Sequence, residues 1–295
     1  MTFTGLIDDT LSQVRSFVRD QELSTWLKFG ISAGATEATV NDAKVVSRGR
    51  IEIGSELLIV ESVDLDLNKI TFPPFGRGSD GTTPSAHIAG KEVTVQPLFP
   101  RKVVADTLNQ VINAVSHKLF GIRVVTLTAS PTRVSYQLPS DTTNVLSVQF
   151  VRDPSFTQDV QYAREWTFDQ QAEWPTGKGI LIYDYQTPGQ PITVTTAVDP
   201  VPLVEGDDWS DSLLPDSAWD VVMLGAVARM LSTAGSYLAA TRSVGSQTTL
   251  AAQMDPQTPM QISRYFYGQH QERLEQEATK LLSRYANRIH YQRRR

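Results

Sequence analysis

The chain has 295 residues, of which 40% are hydrophobic and 20% charged, a balance that suits a folded chain of two or three modules. A formal charge of -5 argues against a surface that grips nucleic acid throughout, while leaving room for a local basic patch. There is no cysteine, which excludes disulfide scaffolds, cysteine-based zinc sites and thiol catalysis and fits a reducing compartment.

Residues 1–5 carry no basic run, and Asp8 and Asp9 interrupt the apolar pattern, so no secretion signal is expected. Over residues 3–23, Phe3, Leu6, Ile7, Leu11, Val14, Phe17 and Val18 recur at helical spacing, with Asp8, Asp9, Gln13, Arg15 and Arg19 opposite. This predicts an amphipathic helix with one buried stripe, left through a loop from Trp26 to Gly34. Five β-rich pieces follow, at 38–40, 44–46, 56–60, 69–72 and 92–95, punctuated by Gly49, Gly54, Asn68 and Pro73-Pro74. They predict a small barrel-like module. Inside it, Asp64-Leu65-Asp66-Leu67-Asn68 has the look of a calcium loop but lacks the glycine and the closing acid, so a polar strand face is expected.

A second helix is expected over 101–120, with Pro100 at its start, Gly121 at its stop, and a stripe of Val103, Val104, Leu108, Val111, Ile112, Val115 and Leu119. Alternation then returns at 124–127, 134–138, 145–150, 179–183 and 192–195, which reads as a β-sandwich with Trp166 and Trp174 at its core or edge. Residues 201–215 form an acidic connector with Glu205, Asp207, Asp208 and Asp211. The helix after it is apolar nearly all round, through Trp219, Val221, Val222, Leu224, Ala226, Val227, Met230 and Leu231, as the centre of a bundle would be. The longest apolar stretch, 218–228, includes Asp220 and falls short of the ~20 residues that cross a bilayer. Residues 239–260, rich in Ser, Thr, Gly and Gln, read as a long loop. A last helix is expected over 261–292, where Ile262, Phe266, His270, Leu274, Ala278, Leu281, Tyr285 and Ile289 step by three or four.

The expected fold class is therefore α+β. Helices drawn from 1–30, 97–121 and 216–295 form one discontinuous bundle that ends in a C-terminal arm. A small β-barrel-like module at 31–96 and a β-sandwich at 122–200 are inserted in its connections, with 201–215 as the connector.

No chemistry-bearing constellation emerges. The four histidines, His87, His117, His270 and His290, have no metal-ligand neighbour at helical spacing. P-loop, nucleophile-elbow and zinc-helix patterns are missing from the sequence. Gly76, Gly78 and Gly81 match the spacing of a dinucleotide loop, but they lie between strands rather than at a strand-to-helix turn. Neither an enzyme nor a cofactor is expected. The charge, in contrast, is divided unevenly. Residues 261–295 carry eight Lys and Arg against three Glu, a net of +5, while the rest of the chain carries -10. A solvated helix with a basic end is the plain reading; a docking arm whose narrow stripe seeks a groove and whose end seeks acidic groups is the functional one.

The residues densest in turn signals are Gly76-Arg77-Gly78-Ser79-Asp80-Gly81-Thr82-Thr83, followed by His87, a strand, Phe99-Pro100-Arg101 and a helix. That order resembles the head-to-tail adaptor (connector) proteins of tailed bacteriophages. On residue chemistry alone, Arg77, Gly78, Gly81, Thr82, Thr83 and His87 build a structural turn, held by Thr82 or Thr83 hydroxyls and the His87 ring. The resemblance implies a virion protein of the neck, assembled in the host cytoplasm. It implies a homo-oligomeric ring, usually of twelve, that docks on the portal protein by its C-terminal segment. A stopper or tail-completion protein would meet the opposite face. DNA would pass through the channel without specific binding, and no membrane is involved. The docking residues it implies are Ile262, Phe266, Leu274, Leu281, Tyr285, Arg288, Ile289, Arg293, Arg294 and Arg295. The rival reading is a tail or baseplate protein whose sandwich binds another protein or a carbohydrate on a platform of Tyr162, Trp166 and Trp174.

Overall fold

The computed structural model describes residues 1–17, 22–130, 132–151, 160–184, 186–243 and 257–285. The fold is α+β, with every strand pair antiparallel. The chain divides into two compact units, one made of Thr4–Asn109 and Met223–Tyr267, the other of Met1–Phe3, Gln110–Val222 and Gly268–Arg295.

In the first unit, helix α1 (Phe3–Arg15) buries Leu6, Ile7, Thr10, Leu11 and Val14, spaced as the sequence predicts. The Thr10 hydroxyl reaches the sheltered face only by donating back to the Leu6 carbonyl at 2.7 Å. The expected helix to residue 23 is shorter, because Leu23–Trp26 is strand β1, paired with β7 (Glu92–Val95). Strands β3 (Gly49–Ile53) and β4 (Glu56–Val60) complete a sheet in the order β1-β7-β3-β4. Strands β2 (Glu37–Thr39), β5 (Ser62–Asp64) and β6 (Lys69–Thr71) form a second sheet, ordered β2-β6-β5.

Neither sheet closes on itself, so the expected barrel is instead a pair of open sheets around Leu27, Val40, Ile51, Ile53, Leu58, Val60, Ile70, Val93 and Val95. Where a strand was expected over 44–46, Ala43–Val45 makes a single 3₁₀ turn, because the Asp42 carboxylate accepts the Lys44 N–H and diverts the backbone. Of the run 64–68, Asp64 ends β5 and residues 65–68 are a hairpin turn rather than a strand face. Asp64 Oδ1 accepts the N–H groups of Asp66 and Leu67, and Asn68 sits at φ 51°.

Glu52 lies between Ile51 and Ile53, so it projects from the other face of the sheet. There its Oε1 accepts the Arg101 N–H at 2.7 Å and caps helix α2 (Arg101–Val115). Burial pushes the Glu52 carboxyl up to about 7, against the lowering influence of that N–H and the Arg101 charge.

In the second unit, α2 ends at Val115 rather than near 120, and His117 Nδ1 lies 2.7 Å from the Ala114 carbonyl. Gly121 does not stop the helix; it opens strand β8 (Gly121–Thr128). Strands β9 (Ser135–Gln137), β10 (Thr142–Val151), β11 (Val160–Tyr162), β12 (Trp166–Asp169), β13 (Gly179–Ile182) and β14 (Pro191–Val198) follow. They form the sheets β11-β10-β14-β8 and β12-β13-β9. Val145, Val148, Phe150, Ile192 and Val194 from one sheet meet Tyr136, Ile180 and Ile182 from the other, a sandwich-like core as expected. A Cβ at Gly179 would stand 2.9 Å from Trp174 Cδ1, so only glycine lets that indole cover the strand.

The acidic connector is more structured than a solvated loop. Asp208 and Asp211 cap each other's backbone around a 3₁₀ turn, Asp207 Oδ2 accepts the Val204 N–H at 2.8 Å, and Trp209 is buried with its Nε1–H on the Pro215 carbonyl. Helix α3 (Trp219–Ser243) buries Val221, Val222, Ala226, Val227, Ala228, Met230 and Leu231, the wide apolar surface read from the sequence. Helix α4 (Gln257–Arg284) begins four residues before its expected start. The expected loop 239–260 therefore loses 239–243 and 257–260 to helices. Ala239 and Ala240 favour helix, and Pro259 is tolerated because it falls in the first turn; residues 244–256 lie outside the described ones.

Candidate functional site

The glycine-dense turn closes around Glu56, the first residue of β4. Glu56 is in phase with Leu58 and Val60, so β4 points its carboxylate into the module. Arg77 meets it with two bonds, Nε to Oε1 at 2.7 Å and Nη2 to Oε2 at 2.9 Å. The N–H groups of Gly78 and Ser85 donate to the two oxygens at 3.1 Å each, and His87 Nε2 stands 2.7 Å from Oε2. The remaining Arg77 donors reach the carbonyls of Ser32, Ala35 and Ser85.

Burial alone would raise the Glu56 carboxyl; the bonds from Arg77, Ser85 and His87 outweigh it and hold it at about 2. Gly78 is required twice over, by φ 62° and because its Cβ would lie 2.5 Å from Pro84 Cδ. Gly81 also has positive φ, at 78°. Thr82 is the hydroxyl that holds the turn, donating to the Ser79 carbonyl and accepting the Leu57 N–H; Thr83 is exposed. His87 holds the turn as expected, through the Glu56 carboxylate. The set is saturated with internal partners, which makes it a fastening and not a ligand site.

The C-terminal helix has a second such centre. Glu277 is buried on α4, accepts from Ser217 Oγ, and lies 2.6 Å from Lys280 Nζ and 3.3 Å from Arg273 Nη2. Burial raises its carboxyl, but Lys280, Ser217 and Arg273 together bring it below the ordinary value. Arg273 also bonds Asp220 Oδ2 through Nε at 2.8 Å, which raises its own pKa, and His270 Nδ1 lies 2.9 Å from the Val221 carbonyl. The order 217 with 277, 220 with 273 and 221 with 270 sets this part of α4 antiparallel to the start of α3. The signal for Glu277 was available, since it stands three residues after Leu274 and four before Leu281 on the same stripe.

Of the residues expected to dock, Phe266, Leu274 and Leu281 are buried within the chain, and Ile262 and Tyr285 are half-buried. Phe266 packs edge-on against Phe17, with ring centroids 5.4 Å apart. Arg288, Ile289, Arg293, Arg294 and Arg295 lie outside the described residues, as does His290. The exposed apolar groups of α4 are Met260, Tyr265, Tyr267 and Leu282, which the stripe did not single out. In the sandwich, Trp166 and Trp174 are half-buried, and the Trp174 indole donates to Ser135 Oγ at 3.0 Å; Tyr162 is exposed.

Among the described residues there is no group of three or more His, Cys, Asp or Glu placed to hold a metal ion. No described helix is long and apolar enough to cross a membrane.

No curated protein matches the chain. The family described as SU10 adaptor protein matches residues 88–277, which is well over half of the chain and runs from just past the turn through α2, the sandwich and α3 to Glu277 on α4. The chain therefore belongs to the SU10 adaptor protein family, a family of bacteriophage head–tail adaptors.

Proposed function

We propose that this adaptor forms a closed ring in the virion neck, joining the portal to the stopper or tail and letting DNA pass through its channel. The observation that carries this reading is the family match over 88–277. The uneven charge supports it. A body at -10 repels passing phosphate, and a C-terminal end at +5 suits an acidic portal surface. In this reading the protein is not an enzyme and takes no cofactor. Its C-terminal arm docks on the portal and the four helices act as the frame that carries the two β-modules.

The burial of Phe266, Leu274 and Leu281 refines the docking proposal. Those side chains hold α4 in place, so the partner is met by the other face of α4 and by Arg288 and Arg293, Arg294 and Arg295. The test is charge reversal, not removal of the helix. An Arg288→Glu, Arg293→Glu, Arg294→Glu, Arg295→Glu variant is expected to stay folded and to lose binding to isolated portal rings. Undiminished binding would remove the C-terminal end from the proposal.

A further inference from the structure

Strand β8 is a sheet edge, in the order β11-β10-β14-β8, and at eight residues it is the longest edge strand among the described residues. Its ladder to β14 runs unbroken over eight pairs, from Gly121 with Val198 to Thr128 with Pro191. The Ala129 N–H donates to the Gln190 carbonyl at 2.8 Å. Two-residue alternation then turns the backbone groups of 121, 123, 125 and 127 toward β14 and those of Ile122, Val124, Thr126 and Thr128 outward. Pro191, which has no N–H, falls opposite Thr128, where none is needed. Thr196 Oγ1 donates to the Arg123 carbonyl, which confirms that this carbonyl faces β14.

Edge strands are commonly blunted by lysine, proline, a bulge or shortness. β8 has none of these: it reads Gly-Ile-Arg-Val-Val-Thr-Leu-Thr, and its one charge, Arg123, is paired with Asp141. Val124, Thr126 and Thr128 are exposed, Val124 at 60%.

We propose that the outward edge of β8 takes an extended, uncharged, β-branched segment of a neighbouring virion protein as an added strand. This rests on the neck reading above. Strand addition supplies main-chain hydrogen bonds along the edge, with Val124, Thr126 and Thr128 on one face to select partner side chains. The chemistry asks for an uncharged segment, because Arg123 is already matched and no other charged side chain lies on the strand. A second copy in a free dimer is the poorer occupant. One eight-residue ladder falls well below the ~1,200–2,000 Å² that holds two free folded chains together. It suits a segment already tethered in an assembly, where effective concentration is high.

The test compares amide exchange in the free full-length chain and in purified virions that contain it. The outward amides of Val124, Thr126 and Thr128 are expected to slow about tenfold or more on assembly, while those of Arg123, Val125 and Leu127 are slow in both states. Equal outward rates in both states overturn the proposal while leaving the chain a neck protein; absence of the chain from virions overturns both. A photo-crosslinker at position 124 is expected to bond an extended segment of another virion protein, and a bond to a second copy of this chain contradicts the assignment. Thr126→Pro deletes only an outward N–H, and Val124→Lys leaves the backbone intact. Both are expected to lower incorporation about tenfold at unchanged melting temperature, with Thr126→Val incorporating normally. Normal incorporation of both would sink the idea.

Discussion

The Arg77 to His87 turn and helix α4 are the two regions that stand out in the sequence, one as a family marker and one as a docking arm. In the fold both close around a single buried glutamate, Glu56 on β4 for the turn and Glu277 on α4 itself for the helix. The difference lies in how completely each is matched. Glu56 meets a two-bond Arg77, two backbone N–H groups and His87, all of them from the same turn. Glu277 is served by side chains of two helices, among them the half-exposed Lys280. Every donor to Glu56 thus comes from one short stretch of chain, while α4 depends on α3 for its position. A third carboxylate sharpens the contrast: Glu52, four residues before Glu56 on the same hairpin, is as buried but has one backbone N–H as its strongest partner and is held up at about 7. Burial raises all three; the donors around each decide the outcome.

The largest expected effect comes from breaking the matched pair in the turn. Glu56→Gln leaves Arg77 buried without its counter-charge and should cost about 3–5 kcal/mol in denaturant unfolding at pH 7. Because the Glu56 carboxyl is lowered in the folded state, its contribution is full above about pH 4.5 and is lost as pH falls toward 2. The wild-type chain should therefore lose stability across that window, and the variant should lose less, keeping only the loss that Glu277 contributes.

Glu52 has the opposite sign. Its raised carboxyl favours the fold below about pH 4.5, and this is lost as pH rises through 7. Glu52→Gln keeps an oxygen for the Arg101 N–H, so it should stabilise by about 2 kcal/mol at pH 8 and change little at pH 4. A pH-independent difference in melting temperature would show that Glu52 is not the group responsible. Glu277→Gln should cost less than Glu56→Gln, about 2 kcal/mol, since solvent can reach Lys280 and Arg273 once the charge is gone. An equal loss for the two would erase the distinction between the turn and the shared helix contact. Smallest of all is the charge-reversed C-terminus, expected to shift stability by less than about 0.5 kcal/mol while removing portal binding.

Much of this was legible before the structure. The helical stripes of α1, α2 and α3 appear where their apolar spacing puts them, except that Val103, expected on the α2 stripe, is exposed, and the sandwich core follows from alternation. What was not legible depended on distant partners. Leu23–Trp26 is a strand because residues 92–95 pair with it, not because of its own composition. Gly49–Ile53 was hidden by Arg50 and Glu52, whose side chains answer to groups outside the strand. The marker turn holds a further lesson. Its residues carry the adaptor resemblance, yet the family match begins at residue 88, one position beyond His87. The match rests on the helices and the sandwich, while the turn is explained by Glu56. Glu56 and Glu277 could have been found by asking why an acid stands in phase with buried apolar neighbours.

The proposed ring would meet the portal through the basic C-terminal end of each copy. Electron microscopy of the purified full-length chain mixed with isolated portal rings tests it most directly. The account predicts a closed ring, of about twelve copies, seated on one face of the portal and lost when Arg288, Arg293, Arg294 and Arg295 are reversed to glutamate. Portal rings that stay bare, or rings that form equally well with the reversed end, would contradict it.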